Sequence, residues 1–430
     1  MLRAVSISNG WNDMSRRTKI NIQSVKSRFI LNPFWWFTLV WTMVFLVHSL
    51  GITSIYPVAP FSLFLFMLSI LVCSTLCGIY YQKNFLVNRK VIYLESDRPN
   101  RVWIIITLLM FVLEVVYSKM LPLFEVLNGN VSSYQNFGIP HFTFLIVSST
   151  IALNAVASVK LFYGKEHKIA HALTIIMCLS TFILSYSRGI LIFSFLITLV
   201  IGLSKIKFSF KVFFLLFILA IIGALAFNIF GNIRQKAAFN DSSYIMNIAG
   251  FKDQYRFLSP FSWVITYIDS PFGNLCYNYI NVAPIYEPLG LISQLLPDFL
   301  SKRILPNYDS SLVLIQPGLT ASSMFAGGYK YFGIFGMTLS YLELIILIFV
   351  VTRICKNNAT CFLACSSSLC IMSAMTFFDN MTTYSGYSFF LIFIVFYRLF
   401  LHKDIKLKVI KADPNVFLKT YKELIAEGML

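Results

Sequence analysis

Charge is what this sequence has least of. Asp, Glu, Lys and Arg together make up 12% of its 430 residues, against roughly 25% in a soluble domain. A soluble fold of this length could not cover its core with so little polar surface, and a disordered chain or a coiled coil would need more charge still. Acids are scarcest, with 18 Asp and Glu against 35 Lys and Arg. Cysteine gives no disulfide framework. Cys73, Cys77, Cys178, Cys361, Cys365 and Cys370 lie in apolar runs, Cys355 sits between Arg353 and Lys356, and only Cys276 falls in the one large loop. Cys361 and Cys365 are one helical turn apart, but no His or carboxylate accompanies them, so apolar packing is the expectation there. Several motifs are missing as well. The chain has no G-x-x-x-x-G-K-[ST], no H-E-x-x-H, no C-x-x-C pair, no G-x-S-x-G and no D-x-D. ATP-driven transport, zinc hydrolysis and metal-held nucleotide-sugar transfer all lose ground.

Apolar residues are what the sequence has most of: 57% are hydrophobic, Phe occurs 43 times, and the mean hydropathy is +0.74. They come in long runs rather than in alternation, which favours a polytopic helical membrane protein over a β-barrel. Ten runs are long enough to be read as spans, near 34–53, 58–81, 102–124, 141–162, 168–187, 189–204, 210–231, 329–352, 359–378 and 386–402. The fifth and sixth are predicted to form a tight hairpin turning at Ser187, Arg188 and Gly189.

With the N-terminus placed inside, the segments 1–33, 82–101, 160–168, 204–211 and 353–358 and the tail from 398 hold 26 of the 35 basic residues. This is the positive-inside pattern. It accounts for the net charge of +17 as topology, without nucleic acid. Both termini are then cytoplasmic. The 33 residues before the first span are read as a cytoplasmic segment rather than a cleaved signal. The tail 403–430 is read as basic and amphipathic, with Val416, Phe417, Leu418, Tyr421, Leu424 and Ile425 on the side facing the inner membrane surface. The one sizeable extramembrane part is the outer segment 232–328. It is expected to have few elements of its own, with a short helix near Leu289–Leu296, and to pack down over the spans.

The candidate functional groups lie on the outer side. Arg188 stands at the tip of the hairpin, Arg234 where the seventh span ends, and Arg256 early in the large segment beside Asp253 and Tyr255. An arginine among apolar helices either snorkels to the interface or serves as a fixed cation. Guanidinium suits phosphate or carboxylate because its planar fork meets two oxygens at once. Asp253, Asp241, Asp269 and Glu287 are acids of the same segment, any of which could act as a base. His141 could titrate near neutrality. Tyr329 and Lys330 face the outer interface within the stretch 317–336, where Gly327, Gly328, Gly333 and Gly336 permit close helix approach or a tight return into the membrane. Glu114 and Glu343 fall inside spans, either as a proton relay or as hydrogen-bonded structural acids.

Three stretches carry a family resemblance: Ser187-Arg188-Gly189 followed by ILIFSFLITLV, the outer segment with its early arginines and WVITYIDSPFGNL, and PGLTASSMFAGGYKYFGIFG. Across most of its length the chain resembles the bacterial O-antigen and capsule repeat-unit polymerases, the Wzy class. The resemblance implies an all-α polytopic protein of about ten transmembrane helices with one large periplasmic loop, akin to metal-independent GT-C-type membrane glycosyltransferases. It implies residence in the bacterial inner membrane and an active site facing the periplasm. It also implies joining of undecaprenyl-diphosphate-linked oligosaccharides without a cofactor or metal, alongside a chain-length regulator and a flippase. Arg188, Arg234 and Arg256 would hold the diphosphate, with Asp253 or His141 as base and Tyr255, Asp269, Tyr329, Lys330 and His141 around the substrate. A ligase of finished polymer and a lipid-linked-oligosaccharide flippase or other transporter remain the alternatives, the latter supported by Glu114 and Glu343.

Overall fold

The computed structural model describes residues 18–21, 28–87, 91–94, 99–128, 136–140, 142–234, 238, 240–309 and 311–410. Each of the ten apolar runs forms a helix. They are α1 (Pro33–Ser49), α2 (Phe61–Tyr81), α3 (Arg101–Ser118), α4 (Thr143–Tyr163), α5 (Lys168–Leu184), α6 (Arg188–Lys205) and α7 (Phe210–Arg234). After α8 (Ser262–Asn281) in the segment 232–328 come α9 (Phe325–Cys355), α10 (Ala359–Met375) and α11 (Ser385–Ile410). Among the described residues, six helices are long and apolar enough to cross a membrane: Phe61–Leu86, Arg101–Ser118, Thr143–Tyr163, Arg188–Lys205, Phe210–Ile233 and Phe325–Cys355. Pro33–Ser49, Lys168–Leu184, Ala359–Met375 and Ser385–Arg398 are apolar but shorter. Seventeen residues of α10 reach about 25 Å at a rise of about 1.5 Å each, less than the ~30 Å of hydrocarbon. One element departs from the all-α expectation. Thr18–Asn21 and Val91–Leu94 form a two-stranded antiparallel ribbon, with Thr18 opposite Leu94 and Asn21 opposite Val91.

Three of the helices begin at an asparagine cap. Asn32 precedes Pro33 and accepts from the Phe34 amide, while its own amide donates to the Gly78 carbonyl at 2.8 Å. Asn100 and Asn358 cap α3 and α10 in the same way. Each side-chain oxygen satisfies an amide that the helix itself leaves open.

α10 is the centre of the bundle. All its residues but Met375 are buried, among them Ser366, Ser367, Ser368 and Ser373. Helices in lipid gain little from apolar burial alone, so small side chains and interhelical hydrogen bonds hold them. Trp41 Nε1 donates to Thr376 Oγ1 at 3.0 Å, and Tyr81 Oη lies 3.2 Å from Thr352 Oγ1 and 3.3 Å from Ser366 Oγ. Asn154 Nδ2 donates to the Ser194 carbonyl at 2.9 Å, tying α4 to α6.

α9 is not one straight helix. Phe332 and Gly333 leave the helical region, Gly333 at φ 57°, ψ −139°. A Cβ on Gly336 would stand 2.0 Å from the Gly328 carbonyl oxygen, and one on Gly328 would stand 2.5 Å from the Gly336 carbonyl oxygen. Residues eight apart in a straight helix are about 12 Å apart, so the chain reverses at 332–333. The short arm 325–331 folds back along the helix that follows. The tight return that the glycines permit is what they form.

The segment 232–328 carries more structure than its sequence suggests. Short helices at Ser243–Ile248, Asp253–Phe261, Pro288–Leu295 and Asp298–Ile304 flank α8, whose residues Trp263, Asp269, Phe272, Asn274 and Cys276 are buried. Trp263 Nε1 donates to Asn232 Oδ1 at 2.8 Å and Ser262 Oγ to Asn228 Oδ1 at 3.0 Å, which fix α8 against the end of α7. Phe299 stacks on Phe144 at 5.2 Å, its amide donates to Ser385 Oγ, and the Asp298 amide donates to the Thr383 carbonyl. The segment 232–328 thus rests on the first turns of α4 and α11. The amphipathic stretch 411–430 lies outside the described residues.

Candidate functional site at one end of the bundle

The hairpin between α5 and α6 is closed by backbone hydrogen bonds. The Ser187 amide donates to the Phe182 carbonyl and the Tyr186 amide to the Ile183 carbonyl, the pattern that ends many helices on a left-handed residue. That residue is usually glycine; here it is Tyr186, at φ 55°. Holding a tyrosine there costs about 1–2 kcal/mol. What the strained turn places is visible next to it: the Arg188 guanidinium lies 5.0 Å from the centre of the Tyr186 ring, within cation–π range. Arg188 opens α6. Ser187, at the capping position, gives no side-chain hydrogen bond to that helix and accepts instead from Ser185 Oγ at 3.1 Å. The positive end of α6 and the exposed Arg188 therefore stand together with no capping side chain between them.

They border a pocket of about 420 Å3, within the range of small-molecule sites. It is built from helix ends: the last turns of α3, α5 and α10 and the first turns of α4, α6 and α11. Phe111, Phe137, Phe182, Phe378, Tyr384 and Tyr387 give it aromatic walls. Thr143, Thr150, Thr181 and Ser185 supply hydroxyls. Its charged groups are Arg188, Glu114 and Asp379.

Asp379 lies in the connector between α10 and α11. Solvent reaches it, while protein surrounds it on most sides. That crowding pushes its carboxyl above the ordinary aspartate range, Asp298 adds to the push, and a 2.7 Å hydrogen bond from the Asn380 amide opposes it. Burial likewise raises Asp298, against Lys302 at 3.6 Å. The connector is braced from the segment 232–328 by the Asp298 amide on the Thr383 carbonyl and by Asn380 Nδ2 on the Gln294 carbonyl at 3.4 Å.

Of the described residues singled out from sequence as substrate or catalytic groups, Arg188 alone lines this pocket. Arg256 and Asp253 pair with each other at 2.9 Å, both largely exposed, and such a pair contributes little. Tyr255 donates to the Leu50 carbonyl at 3.0 Å. Tyr329 is buried and donates to the Val282 carbonyl at 2.8 Å. Lys330 pairs with Asp309. His141 and the side chain of Arg234 lie outside the described residues. Glu343 sits on α9 toward Thr382, with Oε2 unpartnered.

Asp269 is 2% exposed and lies inside the fold. His48 Nδ1 approaches one of its oxygens at 2.7 Å and Thr53 Oγ1 donates to the other at 2.7 Å, so it joins α8 to α1 and the turn after it. Asp269→Ala removes two hydrogen bonds to a buried carboxylate and is expected to cost about 3 kcal/mol of stability. A thermal melt in detergent should show the loss. A variant that melts like wild type yet is inactive would return Asp269 to the chemistry.

Sequence reasoning passed over Asp379, Tyr384 and Tyr387. The available signal was the polar interruption Asp379-Asn380-Met381-Thr382-Thr383 between two apolar runs. The chain matches no family model, and it has no match among curated proteins or solved structures.

Proposed function

We propose that the chain is a repeat-unit polymerase of surface polysaccharide, an O-antigen or capsule polymerase. In this reading ten helices span the bacterial inner membrane, both termini are cytoplasmic, and the pocket and residues 232–328 face the periplasm. The observation that carries it is the pocket itself, where Arg188 on the open N-terminus of α6 shares an aromatic-walled space with an unpaired carboxylate, Asp379. Cation and helix end suit a diphosphate. Aromatic rings suit the apolar faces of sugars.

The step joins two lipid-linked oligosaccharides. An acceptor hydroxyl attacks the anomeric carbon at the reducing end of the donor chain, and Asp379 takes its proton. The bond from that carbon to the diphosphate oxygen breaks. Undecaprenyl diphosphate leaves with the electron pair, its developing charge met by Arg188 and the α6 amides. Asp379 is proposed as the base in preference to Asp253, because it lies in the pocket with the cation while Asp253 pairs with Arg256.

A base works only when deprotonated. With its carboxyl raised, the acid limb of the rate profile should stand at higher pH than for an ordinary aspartate. Asp298→Asn removes the neighbouring like charge and should move that limb to lower pH. A pH–rate profile of chain elongation checks the sign, and a limb unmoved or raised would remove Asp298 from the site.

A second reading, a flippase for lipid-linked oligosaccharides, draws on Glu114, a buried acid in the same pocket. A gel of surface polysaccharide separates the readings. The deletion strain should show lipid core carrying single repeat units, with a ladder restored by the wild-type gene. Bare core with polymer left on its carrier would indicate the ligase, and single units stranded on the carrier the flippase.

A further inference from the structure

α3 is the barest of the helices bordering the pocket. Of its 18 residues only Thr107 and Glu114 are buried. Thr107 has a plain structural task, 3.4 Å from Ser149 Oγ. Glu114 is only partly tied: the Thr143 side chain and the Ile139 backbone hydrogen-bond its carboxyl group, and one oxygen is left over. It is 2% exposed, it lines the pocket that holds Arg188, and its Oε1 has no hydrogen-bond partner. Among the described residues no cation pairs with it. A buried acceptor left unmade forfeits about 1–3 kcal/mol, more when charged, so an acid kept here implies a partner that arrives from the pocket.

The surroundings fix where that partner can come from. The Thr143 hydroxyl and the Ile139 backbone face the carboxyl group. The segment 136–140 presses on it from the outer side: a Cβ on Gly138 would stand 3.1 Å from Oε1 and 2.2 Å from Thr143 Oγ1. Gly138, at φ 104°, is held there by its amide on Ser118 Oγ at 2.8 Å. The rest of α3 is an exposed apolar face, with Ile105, Leu109, Val112, Leu113 and Val116 on it, which offers no polar partner, so the approach left to Oε1 is the pocket.

We infer that Glu114 is a specificity-determining residue: it accepts a hydrogen bond from a hydroxyl or amide N–H of the saccharide whose phosphate lies at Arg188, and so selects which saccharide the pocket admits. The inference rests on the reading of the pocket as a site for lipid-linked saccharides. It assigns the two ends of the ligand to two residues. The anionic end belongs to Arg188. The uncharged, donor-bearing sugar belongs to Glu114, with the hydroxyls of Thr143 and Thr150 beside it.

Two probes test the division on purified full-length protein in detergent: inorganic pyrophosphate, and lipid-linked repeat unit extracted from cells that lack the polymerase. Arg188→Ala should weaken both. Glu114→Leu should weaken the repeat unit by about tenfold or more and leave pyrophosphate unchanged within about twofold. Glu114→Gln, whose amide oxygen still accepts, should recover most of the loss. If Glu114→Leu does not accumulate, Glu114→Met serves for the same comparison. Wild-type affinity for the repeat unit in the apolar variant overturns the inference, as does an equal loss of pyrophosphate. Wild-type protein that binds the repeat unit and never elongates it would remove the polymerase reading while leaving Glu114 in place. Wild-type protein that does not bind the repeat unit removes both.

Discussion

Replacing Gly336 by valine should abolish accumulation of the protein in the membrane. Any β-carbon at this position meets the Gly328 carbonyl oxygen at 2.0 Å, and the obstacle is backbone on the opposing arm of the same reversal. A flexible side chain could swing aside; this oxygen cannot move unless the arm 325–331 lifts from the helix behind it. That arm carries buried Phe325 and Tyr329, and Phe325 packs on Trp41 at 5.2 Å between ring centres. Lifting it therefore opens the core, at a cost of about 3 kcal/mol or more. Gly223→Ala is the control. Nothing lies within 4 Å of a Cβ there, and alanine favours a helix interior by about 1 kcal/mol. Quantitative immunoblots of membranes should show Gly223→Ala at or above wild-type level and Gly336→Val near background. Equal levels would mean that the reversal at 332–333 is not how α9 folds.

The second large effect belongs to Arg188. If the guanidinium and the first turn of α6 meet the departing diphosphate, Arg188→Ala should lower the elongation rate on the order of 100- to 1,000-fold, as loss of one positioned donor does elsewhere. The protein should still accumulate, because Arg188 is exposed at the pocket rim and its guanidinium lies against the Tyr186 ring of the same turn. Arg188→Lys should recover a part only, since an ammonium keeps the charge and loses the fork. On a gel, the alanine variant at normal abundance should leave single repeat units where wild type makes a ladder. A normal ladder would reduce Arg188 to an interfacial anchor.

The helices were legible in the sequence because their signal is local. A run of twenty apolar residues is helical in lipid whatever surrounds it, since no other local structure satisfies its amides. Arg188 was legible for the same reason, as a charge where charge is costly. What could not be read depends on the chain meeting itself. α8 was hidden inside a segment rich in Tyr, Pro, Asn and Ser, and it is buried because α1 and α7 receive it. The glycines of 327–336 announced a close approach, yet only the fold shows that residues 328 and 336 approach each other. Asp379 drew no notice in a short polar connector; it shares a pocket with Arg188 and Glu114 only because α3, α5 and α6 bring those residues to the same space. Arg256 and Asp253 lie outside the pocket. Their types suit a phosphate site, but at a spacing of three residues they satisfy each other.

Elongation by the purified protein tests the account most directly. Wild type reconstituted in liposomes with lipid-linked repeat unit as the sole substrate should convert it into a ladder of longer lipid-linked chains and release undecaprenyl diphosphate, one for each unit added. Asp379→Asn and Arg188→Ala should each leave the single unit unchanged while melting like wild type. Wild-type protein that binds the unit, or carries it across the bilayer, without lengthening it would contradict the polymerase and turn the pocket into a transport site.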